Sequence, residues 1–302
     1  SGEEYATSVK VSDSAFPTTK FSKTTVNPRI AIKYEVTPSL VLRANIGTGF
    51  RAPYGFSEDL HLCSGSPRVW KSSNLKGERA ISYNLSADYY AKKYQFSINI
   101  FRTNLKDKIQ FSPADDEVKK FGYSYQWENV DDAYVQGVEL GAKANLFRNF
   151  NAGVNWTFNQ GKFKHERADW SDPNDETVKE FPQRLQYAKD SRNISRFPAM
   201  TGDIDLDYTP GTWSFSLTSS LQGRMYIDYN SEDDGATSKI KKTNTFMLFN
   251  CRAAKRFGMC TVYAGAKNIF SYIQDEKHTD DAAFMYAPVY GATWYVGLSV
   301  KL

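Results

Sequence analysis

An alternation of apolar and polar residues, held at a period of two over runs of about ten residues, constrains this chain more than any other feature. Ile30, Ile32, Tyr34 and Val36 alternate with Arg29, Ala31, Lys33 and Glu35, and Leu40, Leu42, Ala44 and Ile46 with Val41, Arg43, Asn45 and Gly47. The pattern returns at Ile81–Tyr89, Tyr94–Ile100, Val138–Ala142, Ala152–Phe158, Ile204–Tyr208, Trp213–Leu221, Met247–Ala253 and Val262–Ala266. It closes in Trp294, Val296, Leu298, Val300 and Leu302. Successive side chains of a strand point to opposite faces, so each run carries one apolar row and one polar row. We read about eleven strands of about ten residues, the length that a tilted strand needs to cross a bilayer.

A soluble sandwich also alternates, but its strands run to about 5–6 residues and its connections are short. Here the connections alternate in length. Tight turns fall at Thr37-Pro38-Ser39, Lys92-Lys93, Phe147–Phe150, Thr209–Thr212 and Phe257-Gly258, with polar segments at about 51–77, 112–127, 164–198, 230–242 and 270–289 between them. Short turns on one side and long loops on the other are the layout of an outer-membrane barrel, with periplasmic turns, extracellular loops and a periplasmic C-terminus. The fold class expected is therefore all-β, a transmembrane antiparallel β-barrel. No stretch approaches the ~18 uninterrupted apolar residues of a spanning helix, and 38 Lys+Arg against 34 Asp+Glu is too mild a balance for a nucleic-acid partner. The partner expected is the lipid bilayer.

The strand count has a consequence for closure. If the long loops lie outside, counting back eleven strands makes Ile30–Val36 run inward, starting from outside the cell. An eleven-stranded sheet in lipid leaves two bare edges, each unsatisfied group costing on the order of several kcal/mol. Either further strands close the sheet, or Tyr5, Thr7, Val9 and Val11 supply a twelfth strand and the chain is a passive channel. In the first case residues 1–23 are an extracellular loop segment and 24–302 are the second half of a larger barrel.

Four boxes then stand out in order. Gly47-Thr48-Gly49-Phe50-Arg51-Ala52-Pro53 resembles the "GFRAP" box of TonB-dependent outer-membrane receptors, and Ser73-Asn74-Leu75-Lys76-Gly77-Glu78 resembles their "NPxLxPE" box without its prolines. Asn129-Val130 with Gly137-Val138-Glu139 is similar to the family's "N…GvE" strand, and Ala266-Lys267-Asn268-Ile269-Phe270 to its "vkNlfd". The resemblance implies a 22-stranded barrel plugged by an N-terminal domain, of which this chain is the C-terminal half. It further implies import of a scarce large ligand of the siderophore, haem or cobalamin class. The partners implied are the missing half with its plug, the inner-membrane TonB-ExbB-ExbD system and, in some branches of the family, a surface lipoprotein lid. The "GFRAP" box belongs to the iron and cofactor branches rather than to glycan importers.

Nothing in the chain reads as an enzyme: GxSxG, HExxH and P-loop motifs are absent and there are 3 histidines, His61, His165 and His278, all in expected loops. No resident cofactor or metal is expected, and haem or a ferric siderophore enters only as cargo. His61 lies between the first two boxes, where haem-importing relatives carry an extracellular histidine; Arg68 and Trp70 nearby suit propionates and a porphyrin face. His165, Trp170, Arg192 and Arg196 decorate the longest loop and Tyr125 another, and aromatics with arginines suit a planar or anionic ligand. The ordinary readings are solvated loop histidines and an interfacial aromatic girdle. Asp203, Asp205 and Asp207 share a strand face and line the lumen rather than hold calcium. Cys251 and Cys260 fall on neighbouring strands with the same parity, either facing each other or standing as two inert thiols, and Cys63 lies in a loop. The rivals to an importer are the passive twelve-stranded porin and a surface adhesion or docking barrel.

Overall fold

The computed structural model describes residues 24–52, 69–71, 75–113, 116–120, 125–165, 192–230, 238–274 and 286–301. Its elements are β1 (Arg29–Thr37), β2 (Leu40–Arg51), β3 (Val69–Lys71), β4 (Glu78–Tyr90), β5 (Tyr94–Pro113), α1 (Asp116–Lys119), β6 (Tyr125–Phe147), β7 (Phe150–Phe163), β8 (Met200–Tyr208), β9 (Trp213–Gln222), β10 (Tyr226–Asn230), β11 (Ser238–Lys242), β12 (Phe246–Phe257), β13 (Cys260–Lys267) and β14 (Thr293–Val300). Twelve of the strands form one sheet, eleven of them in the order β1-β2-β4-β5-β6-β7-β8-β9-β12-β13-β14 with β3 paired to β6 off this path, and β10 with β11 forms a separate ribbon. Every expected strand is present, and the path ends at β1 and β14. No described helix is long and apolar enough to cross a membrane.

Two expectations need correction, and one open alternative is decided in favour of separate thiols. The segment at 112–127 is shorter than the sequence suggests, because β5 runs 20 residues to Pro113 and β6 runs 23 residues from Tyr125, leaving only the short α1 and its flanks between. The loop segments at 51–77 and 230–242 contain strand, β3 in the first and β11 with the end of β10 in the second. Cys251 and Cys260 share a face but do not meet: Cys251 lies opposite Ala266 and Cys260 opposite Phe257, and both thiols are free. The expected loop segment 1–23 and its rival twelfth strand, together with Cys63, lie outside the described residues.

The described residues fall into two compact units, one drawn from residues up to Ile30, Asn45–Tyr83 and Thr103–Tyr134, the other from Ala31–Ala44, Asn84–Arg102 and Val135 onward. In the second unit the antiparallel registers show the two-faced logic directly. On β8 the acidic row Asp203, Asp205, Asp207 lies opposite Asn155, Gly153, Asn151 of β7 and Ser220, Thr218, Ser216 of β9. The other row, Ile204, Leu206 and Tyr208, lies opposite Val154, Ala152 and Phe150 and opposite Ser219, Leu217 and Phe215. Tyr208 and Phe215 of this apolar row are exposed. Among the described residues 33 large apolar side chains are exposed, Val296 at 78% and Trp294 at 76%, against ten buried apolar residues. Removing such a side chain from water is worth on the order of 1.5–3 kcal/mol, so a sheet with this face outward is made for a solvent of lipid.

At the turn ends, Gly211 and Gly258 take φ of 60° and 58° and Asn149 takes 66°, the left-handed conformation that tight hairpin connections use. An aromatic belt lies beside these turns. Phe147 stacks on Phe150 at 4.7 Å and Trp213 on Phe215 at 5.7 Å, with Tyr208 between the two pairs at 6.2 Å from Phe150 and 6.4 Å from Phe215. Such rings, apolar in body and partly polar at the rim, suit the membrane interface.

Candidate functional site

Within the first unit residues from three of the four sequence boxes converge on one clamp. Arg51, from the first box, ends β2, and its guanidinium lies 3.6 Å from the carboxylate of Glu78, which opens β4. The same carboxylate accepts a hydrogen bond of 2.9 Å from the backbone N–H of Ile109 on β5, so one side chain ties three neighbouring strands. Phe50 packs its ring against Gly77; a β-carbon at that position would occupy the ring's place. That close approach explains a glycine before the strand. Asn129, from the third box, accepts from Lys76 N–H at 2.7 Å and donates to Lys76 O at 3.0 Å and to Asp107 O at 2.7 Å. Asp107 itself is left-handed at φ 54°, and its N–H donates to the Asp132 carboxylate at 3.1 Å. The boxes are therefore read by the fold as stitching between strand ends, with Leu75 half-buried beside them and Ala52 following β2.

In the same unit β3 lies parallel to β6, with Val69 opposite Tyr125 and Trp70 opposite Gln126. The backbones of Trp70 and Tyr125, assigned to different loops from sequence, are thus one register step apart. Nothing in the spacing of the chain signals this pairing.

Within the second unit the base of the longest loop is closed by Arg192. Its Nε donates to Phe163 O at 3.0 Å and its own carbonyl accepts from Phe163 N–H at 2.7 Å, next to a bridge between Lys162 and Asn193. His165 is exposed three residues beyond Lys162, so His165 and Arg192 flank one loop mouth. Arg196 is exposed and left-handed at φ 55°, with its N–H bonded to Tyr226 O at 2.7 Å. His61, Arg68 and Trp170, together with the box residues Pro53 and Asn74, lie outside the described residues.

Asn268, from the fourth box, organises a second loop base. It is buried and left-handed at φ 49°; its amide donates to Tyr272 O at 2.7 Å and Tyr290 O at 3.2 Å, its Oδ1 accepts from Tyr272 N–H, and its own N–H donates to Asn250 Oδ1 at 3.0 Å. Beside it Gln274 accepts from the N–H groups of Tyr286 and Ala287 and donates its own to Pro288 O. Over this base Phe246, Leu248, Tyr286 and Ala287 line a cavity of about 290 Å³ with Gln222 and Ser220 at its polar side.

The polar face carries a matching ladder. Asn155 donates to Asp203 at 2.8 Å, Asn99 to Glu139 at 2.9 Å, Arg102 to Gln136 at 2.7 Å, and Arg43 pairs with Asp88. Arg252 lies 4.6 Å over the Tyr263 ring, which in turn meets Tyr295 edge-on. A further cavity of about 500 Å³ lies along this face beside Lys143, Asp205 and Asp207. Among the described residues no group of His, Cys, Asp or Glu is arranged to hold a metal ion. Chemically, this face can hydrate, hydrogen-bond and bear charge.

A family model described as "TonB dependent receptor-like, beta-barrel" matches residues 4–269. The vitamin B12 transporter BtuB of Photobacterium profundum is 26% identical over 229 residues, 75% of this chain and 30% of that protein. The ferric enterobactin receptor of Pseudomonas aeruginosa is 28% identical over 131 residues, 37% of this chain and 18% of that protein. In fold, the unliganded ferric citrate transporter FecA superposes with a TM-score of 0.63 at 19% identity, over 90% of this chain and 37% of its own. The chain thus spans about a third of the length of the vitamin B12 transporter and of the ferric citrate transporter.

Proposed function

Because the chain belongs to the TonB-dependent receptor β-barrel family, we propose that the receptor it forms part of imports a scarce large ligand across the outer membrane, of the siderophore, haem or cobalamin class. The observation that carries this reading is the two-faced sheet of long strands, apolar on one face and hydrogen-bonded polar on the other, within a family of transporters rather than enzymes. The relatives named for vitamin B12 and ferric enterobactin support the ligand class. In this reading loops extend outside the cell and capture ligand, the turn ends and C-terminus lie in the periplasm, and strands and a plug beyond this chain complete the barrel. The TonB-ExbB-ExbD system supplies energy, and a surface lipoprotein is a candidate lid.

The residues proposed to meet ligand form two groups: His61, Arg68, Trp70 and Tyr125 on one set of loops, and His165, Trp170, Arg192 and Arg196 on another. The box residues are not in either group, because Phe50, Arg51 and Glu78 are committed to the strand clamp. The test is whole-cell uptake of labelled ferric siderophores, haem and cobalamin by a strain carrying or lacking the receptor, with and without a protonophore. One ligand is expected to accumulate only in energised, receptor-bearing cells. Uptake that survives collapse of the proton gradient would instead identify a passive channel, and no uptake with macromolecule binding would identify an adhesin.

A further inference from the structure

We propose that the apolar outer face carries a phospholipid site, with the lipid phosphate at Lys255 and one acyl chain lying in the groove over Ala253 and Ala264. Lys255 stands on the lipid-facing row of β12, directly opposite Trp213 on β9 and Val262 on β13. Its ammonium is 4.7 Å from the centroid of the Trp213 ring and 5.0 Å from that of Phe257. Among the described residues no carboxylate pairs with it. A cation held on two aromatic faces at the edge of a lipid-facing sheet has its stem in hydrocarbon and its charge at headgroup level. The anion that every neighbouring phospholipid offers at that depth is a phosphate, and a lysine ammonium binds it as a compact point charge with three donors.

The second element is a recess. A groove of about 520 Å³ is lined by Leu206, Tyr208, Leu217, Ala253, Ala264 and Trp294 among others, and its walls are predominantly apolar. Ala253 and Ala264 face each other across β12 and β13, and Phe215 faces Ala253 from β9. This pair lies two residues along from Lys255 and Val262, about 6–7 Å further into the membrane-facing surface. The exposed side chains of Phe215 on β9 and Val296 on β14 stand directly beside the two alanines. A cation two residues along the strand from the lining of an apolar trough is the arrangement that a single phospholipid fills, phosphate at one end and chain along the other. The inference requires only a lipid-facing barrel and does not depend on which ligand is imported.

The experiment takes the intact receptor, purified in mild detergent and stripped of lipid, and follows binding by native mass spectrometry during titration with phosphatidylglycerol, phosphatidylethanolamine or phosphate-free diacylglycerol. One phospholipid per receptor is expected to survive collisional activation, and diacylglycerol is expected to be lost. Lys255→Gln should weaken retention about tenfold, the change associated with one charge-assisted hydrogen bond, and Lys255→Arg should restore most of it. Ala264→Trp, which fills the trough and leaves the cation, should lower retention to a similar degree. Heat-modifiable gel mobility reports that each variant is folded. Equal retention of phosphatidylglycerol and diacylglycerol by the native receptor, or unchanged retention in Lys255→Gln, overturns the site; either outcome leaves the uptake experiment unaffected.

Discussion

Asn129 shows how much a single side chain can hold when the groups around it are backbone. Its amide satisfies one N–H and two carbonyls, from the segment before β4 and from β5, so truncation removes three bonds at once. Asn129→Ala is expected to lower stability by about 1–3 kcal/mol, chiefly through loss of the part-buried bond to Asp107 O. Asn129→Asp should be no milder, since it keeps the acceptor for Lys76 N–H while setting a carboxylate against two carbonyl oxygens. The readout is the urea midpoint of the refolded receptor in liposomes. Gly77→Ala tests the neighbouring contact: a methyl group there displaces the Phe50 ring, with an expected loss of about 1–3 kcal/mol from overpacking. Ser219 supplies the opposite sign. Its hydroxyl is the one buried side-chain polar atom without a partner among the described residues, in a residue 5% exposed, so Ser219→Ala should raise stability by about 1 kcal/mol and the same midpoint with it.

At the scale of the element, what is legible in the sequence follows the membrane. Where a strand meets lipid on one side and polar groups on the other, the period of two is strict, and all eleven long strands can be read. Beyond that band apolar and polar residues are no longer sorted between the two faces, and the signal fades: Arg102–Pro113 of β5 and Tyr125–Gln136 of β6 are strand without a clean alternation, so the sequence reads as loop at their ends. The short β3, β10 and β11 are set by pairing partners rather than by pattern. The candidate site is legible only as boxes. Their composition points to the family, but that Arg51, Glu78 and Asn129 act on neighbouring strands depends on a register no single sequence carries. The same limit applies to the two cysteines. Parity places Cys251 and Cys260 on one face, whereas register sets Cys260 opposite a residue six positions beyond Cys251, about 20 Å along the strand. Mild oxidation is therefore expected to leave both thiols alkylatable, as read by mass spectrometry after denaturation; an intramolecular disulfide between them would require the β12–β13 register to be wrong.

At the scale of the molecule, two facts bear on each other: the sheet path ends in β1 and β14, and the chain spans 30% of the cobalamin transporter and 37% of the ferric citrate transporter that it resembles. Backbone groups on two open edges have no water to turn to in hydrocarbon, so residues 1–302 refolded alone are expected to give no heat-modifiable folded species in liposomes. A conducting closed channel from this chain alone would return the passive porin to first place. The ligand is a separate question, and His61 divides it. Neutral imidazole can ligate haem iron directly, whereas a siderophore has already filled the coordination sphere of its metal and gains nothing from a further nitrogen ligand. His61→Ala in the complete receptor should therefore lower haem uptake more than about tenfold if haem is the cargo, the loss of an axial ligand exceeding that of an ordinary contact. For a siderophore or cobalamin cargo the same variant should stay within about twofold, as expected for a solvated loop side chain. The comparison is made on energised cells at limiting ligand, where capture by the loops sets the rate, and a tenfold loss with a siderophore cargo would place His61 in the recognition surface without any role in iron ligation.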